Sequence, residues 1–138
     1  MAQDDAEHLE VLESGPPWNL SLTIERVGPD LLCRLHGGAQ HVGAVALGWW
    51  DGTTVRVSEL AAGSHKEGPL AVFVAEQLCR ASRVTVTCIA GIHYDGLSAP
   101  EIEVICEEAY ALSARGFEIA LGRVAGAGRG RQREKLEP

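Results

Sequence analysis

The sequence predicts an α+β fold: a mostly antiparallel sheet of five to six strands with two helices on one face. Four early segments read as strands, two later stretches carry apolar residues at helical spacing, and a strand signal follows each of those stretches. At 138 residues the chain suffices for one domain with a sizeable core. The expected organisation is an acidic N-terminal arm over 1–16, one α+β domain over 17–122, and an Arg/Gly-rich disordered tail over 123–138.

Each element has its own signal. The acidic start reads as a loose arm or short helix that ends at Pro16-Pro17. Residues 18–27 place Leu20, Leu22 and Ile24 on one side and Asn19, Ser21, Thr23 and Glu25 on the other, the period of a half-buried strand. Gly28-Pro29-Asp30 turns the chain into a second strand over 31–36. The apolar run 42–48 and the stretch 54–60 flank Trp49-Trp50-Asp51-Gly52-Thr53, which predicts an antiparallel hairpin. Residues 69–82 start with Pro69 and align Leu70, Phe73/Val74, Gln77/Leu78 and Ala81 as a helix. A strand follows over 84–90. Ser98 and Glu101 form a capping pair for a second helix striped by Ile102, Ile105, Ala109 and Leu112, with Gly116 as its expected stop. A short strand over 117–121 closes the order.

Composition narrows the function classes. Hydrophobic residues at 46% and charged residues at 22% describe a soluble globule. The longest uncharged stretch, 36–50, is broken by glycines and a histidine, so no membrane span is expected. The acidic start is unlike a signal peptide, and the cytoplasm is the expected location. Residues 1–122 carry 7 basic and 17 acidic residues, a balance of −10, whereas 123–138 carry 5 and 2, a balance of +3. An acidic body is a poor nucleic-acid surface. Cys33, Cys79, Cys88 and Cys106 form no Cys-x-x-Cys pair and read as small buried hydrophobes.

Topology singles out three histidines. His41 opens the third strand, and its hairpin partner ends near Ala61, shortly before His65. The strand, helix, strand crossover predicts parallel flanking strands, so the loops carrying His65 and His93 leave the same edge of the sheet. Ligands favour the crevice outside such strand ends. The loop Gly63-Ser64-His65-Lys66-Glu67-Gly68 precedes a helix N-terminus, where free amides and a lysine favour an anion such as phosphate. The loop 91–96 repeats the arrangement with His93 and Asp95. Converging imidazoles, with Glu67 and Asp95 nearby, suit a divalent ion that grips phosphate oxygens. Trp49 and Trp50 fall roughly 20 Å away at ~3.3 Å per strand residue, and core packing or a dimer contact is expected of them.

The strings HVGAVALG, GSHKEG and AGIHYDGLSAPEIEVI resemble the LpdD-like family, small proteins encoded beside UbiD-type decarboxylases and counted as accessory components of gallate or vanillate decarboxylase. The resemblance spans about residues 18–115. It implies a fold similar to that of proteasome assembly chaperones, and a dimeric chaperone that binds prenylated FMN, protects or matures it, and delivers it to the decarboxylase. The matching positions are His41, His65-Lys66-Glu67 and the Gly-Ile-His-x-Asp of 91–95; Gly68-Pro69 departs from the more acidic sequence of the family there.

The candidate cofactor-binding set is therefore His41, Ser64, His65, Lys66, Glu67, His93 and Asp95, with His41, His65 and His93 as candidate metal ligands and no catalytic residue. The implied cofactor is prenylated FMN, together with a divalent metal ion. The implied partners are a UbiD-type decarboxylase, a prenyl-flavin synthase and a second copy of the chain, with neither nucleic acid nor membrane. Two alternatives use other logic: a small metal- or histidine-dependent enzyme acting on a phosphorylated ligand, and a protein-assembly chaperone without ligand.

Overall fold

The structure is a computed structural model that describes residues 9–63 and 66–134, with side chains described for 10–63 and 66–122. In chain order the elements are β1 (Leu9–Glu13), β2 (Ser21–Val27), β3 (Asp30–Gly38), β4 (Ala44–Trp50), β5 (Val55–Ala61), α1 (Gly68–Ser82), β6 (Val86–His93) and α2 (Ala99–Glu134). The strands form one sheet in the order β1-β2-β3-β6-β4-β5. Every pairing is antiparallel except β3 with β6. This is the expected α+β class, with a sixth strand at one edge.

The crossover obeys the expected direction rule without making its strands neighbours. Both β5 and β6 run antiparallel to β4, which lies between them, so they run parallel to each other. Ala44, at the start of β4, stands opposite Ala61 on one side and Ala90 on the other. Gly38, at the end of β3, stands opposite His93. The ends of β3, β5 and β6 and the start of β4 therefore share one edge.

Both helices cover the same face. Leu22, Ile24, Cys33, Leu35, Ala46, Val86 and Cys88 point into the layer that Leu70, Val74 and Leu78 of α1 fill, and each of the aliphatic helix residues contributes about 1.5–3 kcal/mol by leaving water. Helix α2 lies along α1 and reaches β1 and β2, with Phe73 and Tyr110 meeting edge to face at 4.7 Å. It starts at the predicted capping pair: the Ser98 amide donates to Glu101 Oε1 at 2.8 Å, and the Glu101 amide donates to Ser98 Oγ at 3.3 Å. Burial pushes the Cys33 thiol up to about 12, the behaviour of an inert core residue.

Four expectations are corrected. The arm is not wholly apart from the domain, because Leu9–Glu13 pairs with β2 and puts Leu12 opposite Leu22 in the core. Gly116 does not stop the second helix. It lets the helix approach the sheet, since a Cβ there would lie 3.1 Å from Leu22 Cδ2 and 3.4 Å from Ile24 Cδ1 and Leu78 Cδ1. The residues expected as a short strand, 117–121, consequently lie inside α2, whose helical backbone runs on to Glu134 in the segment expected to be disordered.

Among the described residues, no helix covers the opposite face of the sheet. Val45 stands between Ile89 and Leu60, and this row continues toward the exposed Leu47 and Trp49. Leu60 is 81% exposed. Trp50 points the other way and packs on the core, with the Arg83 guanidinium 4.3 Å from its ring centroid. Among the described residues, no helix is long and apolar enough to cross a membrane.

Candidate functional site

The segment from Ala39 to Gly43 carries the chain across the end of β6. The Ala39 amide donates to His93 O at 3.0 Å, the Gly43 amide to Ala90 O at 2.9 Å, and the Ala62 amide to Gly43 O at 2.8 Å. The His41 carbonyl lies where a Cβ on residue 91 would stand, so Gly91 is what admits this crossing. Loop 39–43 is thereby pinned to both β6 and the exit of β5, and the His41 ring is set at the sheet edge.

Glu67 is the centre of the arrangement. It occupies the N-cap position of α1 but makes no capping bond, and its side chain is 8% exposed. Its Oε2 lies 2.8 Å from His41 Nε2 and accepts the Ile92 amide at 3.1 Å. A carboxylate takes the place of a strand partner for an amide just beyond the last β4–β6 pair, Ala44 with Ala90. Gly43 makes room for it, because a Cβ there would lie 2.6 Å from the carboxylate. His41 Nδ1 faces Ala39 O at 3.1 Å, an atom that only accepts, so Nδ1 donates. The second contact then closes with a proton held between Nε2 and Oε2. The resulting unit is a partly buried acid-base pair joining loop 39–43, the end of β6 and the start of α1.

His93 comes close to this pair. Its ring lies 6.2 Å from that of His41, centroid to centroid, at 86°. Its Nε2 contacts Asp95 Oδ1 at 3.0 Å, and both side chains face solvent. The convergence of His41 and His93 at one edge is as the topology predicts. Ser64 and His65 lie outside the described residues, as does His8. Among the described residues no group of three His, Cys, Asp or Glu side chains is arranged to hold a metal ion. His65, the third member of the expected histidine centre, is outside that set; of the other two, His41 has an oxygen at each ring nitrogen, and the His93 Nε2 is engaged by Asp95.

On the helix side of Glu67 opens a cleft of about 240 Å³ between the end of β6 and the first turns of α1 and α2. Lys66 and Glu67 stand at one end, and Leu70, Ile92, Leu97, Ile102, Ile105 and Cys106 supply an otherwise apolar lining. Neither this cleft nor the central position of Glu67 follows from the sequence reading, in which Glu67 is one candidate among seven near the histidines and Ile102 and Ile105 are an apolar helix stripe. Ile102 is in fact 49% exposed, and the only advance signal is an isoleucine between Gly91 and His93 at a strand end. Tyr94 anchors the chain as it leaves β6, donating its hydroxyl to Trp18 O and meeting the Trp18 ring edge-on at 5.2 Å.

The chain has recognisable relatives. The family model described as "Prenylated flavin chaperone LpdD-like domain" matches residues 14–118. No curated protein matches the sequence. Among solved structures, a chain of a chaperone complex for yeast 20S proteasome assembly is similar with a TM-score of 0.42 and 9% identity, over 77% of this chain and 97% of that chain.

Proposed function

The chain belongs to the LpdD-like prenylated flavin chaperone family, and on that premise we propose that it binds prenylated FMN at the strand ends around Glu67 and delivers it to a UbiD-type decarboxylase. The observation that carries this reading is the His41–Glu67 pair beside His93, set next to an apolar cleft with Lys66 at its rim. A flavin mononucleotide has a flat, largely apolar ring system at one end and a phosphate at the other. Such a ligand calls for an apolar wall, hydrogen-bonding groups at its edge and a cation for the phosphate. We assign the phosphate to Lys66 and the histidine side of the site, with Asp95 orienting His93, and we extend the binding loop to Ser64 and His65. A prenyl-flavin synthase is the natural donor of the cofactor. The uncovered sheet face, with Leu60 and Leu47 exposed, supports a homodimer.

The test is a thermal-shift titration of the purified protein with prenylated FMN under anaerobic conditions. A ligand that binds only the folded state stabilises it by about 2.7 kcal/mol at a hundredfold excess over Kd. The melting temperature is expected to rise with cofactor and the flavin to co-elute on gel filtration. The absence of both effects, with the cofactor in millimolar excess, defeats the proposal.

A further inference from the structure

We infer that the apolar cleft beside Glu67 receives the hydrocarbon ring that prenylation adds to the flavin, and that this cleft is how the protein tells prenylated FMN from FMN. The inference rests on the binding proposed above and deepens it. At about 240 Å³ the cleft is smaller than the roughly 300–1,000 Å³ of pockets that enclose a whole small-molecule ligand. It therefore takes one part of a flavin, and its lining decides which part.

The phosphate is excluded, because Glu67 lines the cleft and a dianion placed there would stand against a buried carboxylate. The polar pyrimidine edge of the flavin is disfavoured as well, since Leu70, Ile92, Leu97, Ile102 and Ile105 offer its carbonyls and N–H no partners. What fits is a compact hydrocarbon group attached to a longer polar body. The charges point the same way: Lys66 stands at the rim, where the anionic arm of the ligand would emerge. Ile102, half exposed on the first turn of α2, is an apolar side chain that such a group would cover. Unmodified FMN has only its flat dimethylbenzene edge to offer such a cleft and lacks the added non-aromatic ring, so it buries less apolar surface there.

Anaerobic titrations of the full-length protein with prenylated FMN and with FMN test this. The wild type is expected to bind prenylated FMN at least about tenfold more tightly, the ratio that burial of about two methylene groups gives. Ile102→Trp and Cys106→Trp, which fill the cleft from positions that are not fully buried, should cut the preference for prenylated FMN to within about twofold. A second readout uses the unaltered chain. Cys106 is the one cysteine of the four outside the buried core, and prenylated FMN should protect it from alkylation where equally bound FMN does not. Equal wild-type affinities, full discrimination in both variants, or Cys106 labelling indifferent to bound prenylated FMN would overturn the inference while the ligand reading stands. A wild type that binds neither flavin would overturn both.

Discussion

Removal of the Glu67 carboxylate is the most direct probe of the site. Its single oxygen Oε2 serves both His41 Nε2 at 2.8 Å and the Ile92 amide at 3.1 Å, from a side chain only 8% exposed. Hydrogen bonds to a charged group contribute about 1.5–3 kcal/mol each, and a buried donor left without a partner costs about 1–3 kcal/mol. His41 keeps part of its solvent access and its contact with Ala39, which brings the Glu67→Ala loss to about 2–4 kcal/mol. Glu67→Gln keeps the shape and an acceptor for Ile92, and should lose about 1 kcal/mol. Urea unfolding at pH 7 measures both, with unchanged m-values required for the comparison. A double-mutant cycle with His41→Ala isolates the pair and should return a coupling of at least about 1 kcal/mol. A Glu67→Ala loss below about 1 kcal/mol, or additive single losses, would refute the reasoning that Glu67 ties the three segments together.

Gly91→Ala drives a methyl into the His41 carbonyl and should cost about 1–3 kcal/mol while shifting the His41 and His93 ring resonances; an unperturbed NMR spectrum contradicts the crossing described above. Asp51 is held at about 2, below its ordinary 3.8, first by the Thr54 amide, then by Arg56 and the Thr53 amide. Its depressed value stabilises the fold above pH 3.8 and the contribution fades as pH falls toward 2, so the melting-temperature gap between wild type and Asp51→Asn should shrink over that window; a constant gap counts against it. Leu60→Lys, at the 81% exposed position of the open sheet face, should convert the proposed dimer into monomers in sedimentation equilibrium with little change in monomer stability. An unshifted dimer would place the interface elsewhere.

Much of the site was legible because it depends on chain direction alone. His41 and His93 meet since a hairpin returns the chain to its starting edge and a helical crossover preserves strand direction, rules that hold even though β4 separates β5 from β6. The parts that escaped depend on contacts distant in sequence. Gly116 has the local signature of a helix stop, yet its missing Cβ is used by Leu22, Ile24 and Leu78. Leu9–Glu13 has two glutamates and one core side chain, Leu12, among its described residues, and becomes a strand by pairing with the edge that β2 offers. Glu67 is expected near the converging histidines, but its burial and its contact with His41, 26 residues earlier, emerge only in the folded chain. The cleft required knowing how α2 sits on α1, which periodicity does not specify.

The sheet is completed out of order. Its last strand in sequence, β6, is inserted between β3 and β4, so the β1-β2-β3 meander and the β4-β5 hairpin share no ladder until Val86–His93 has been made. A nascent or truncated chain ending before that strand has two half-sheets with raw inner edges, each open to pairing with another chain. The same insertion delivers the Ile92 amide to Glu67 and the His93 ring to His41. Without the final strand the cluster of His41, Glu67 and His93 cannot form, and a half-made molecule lacks this end of the proposed flavin site.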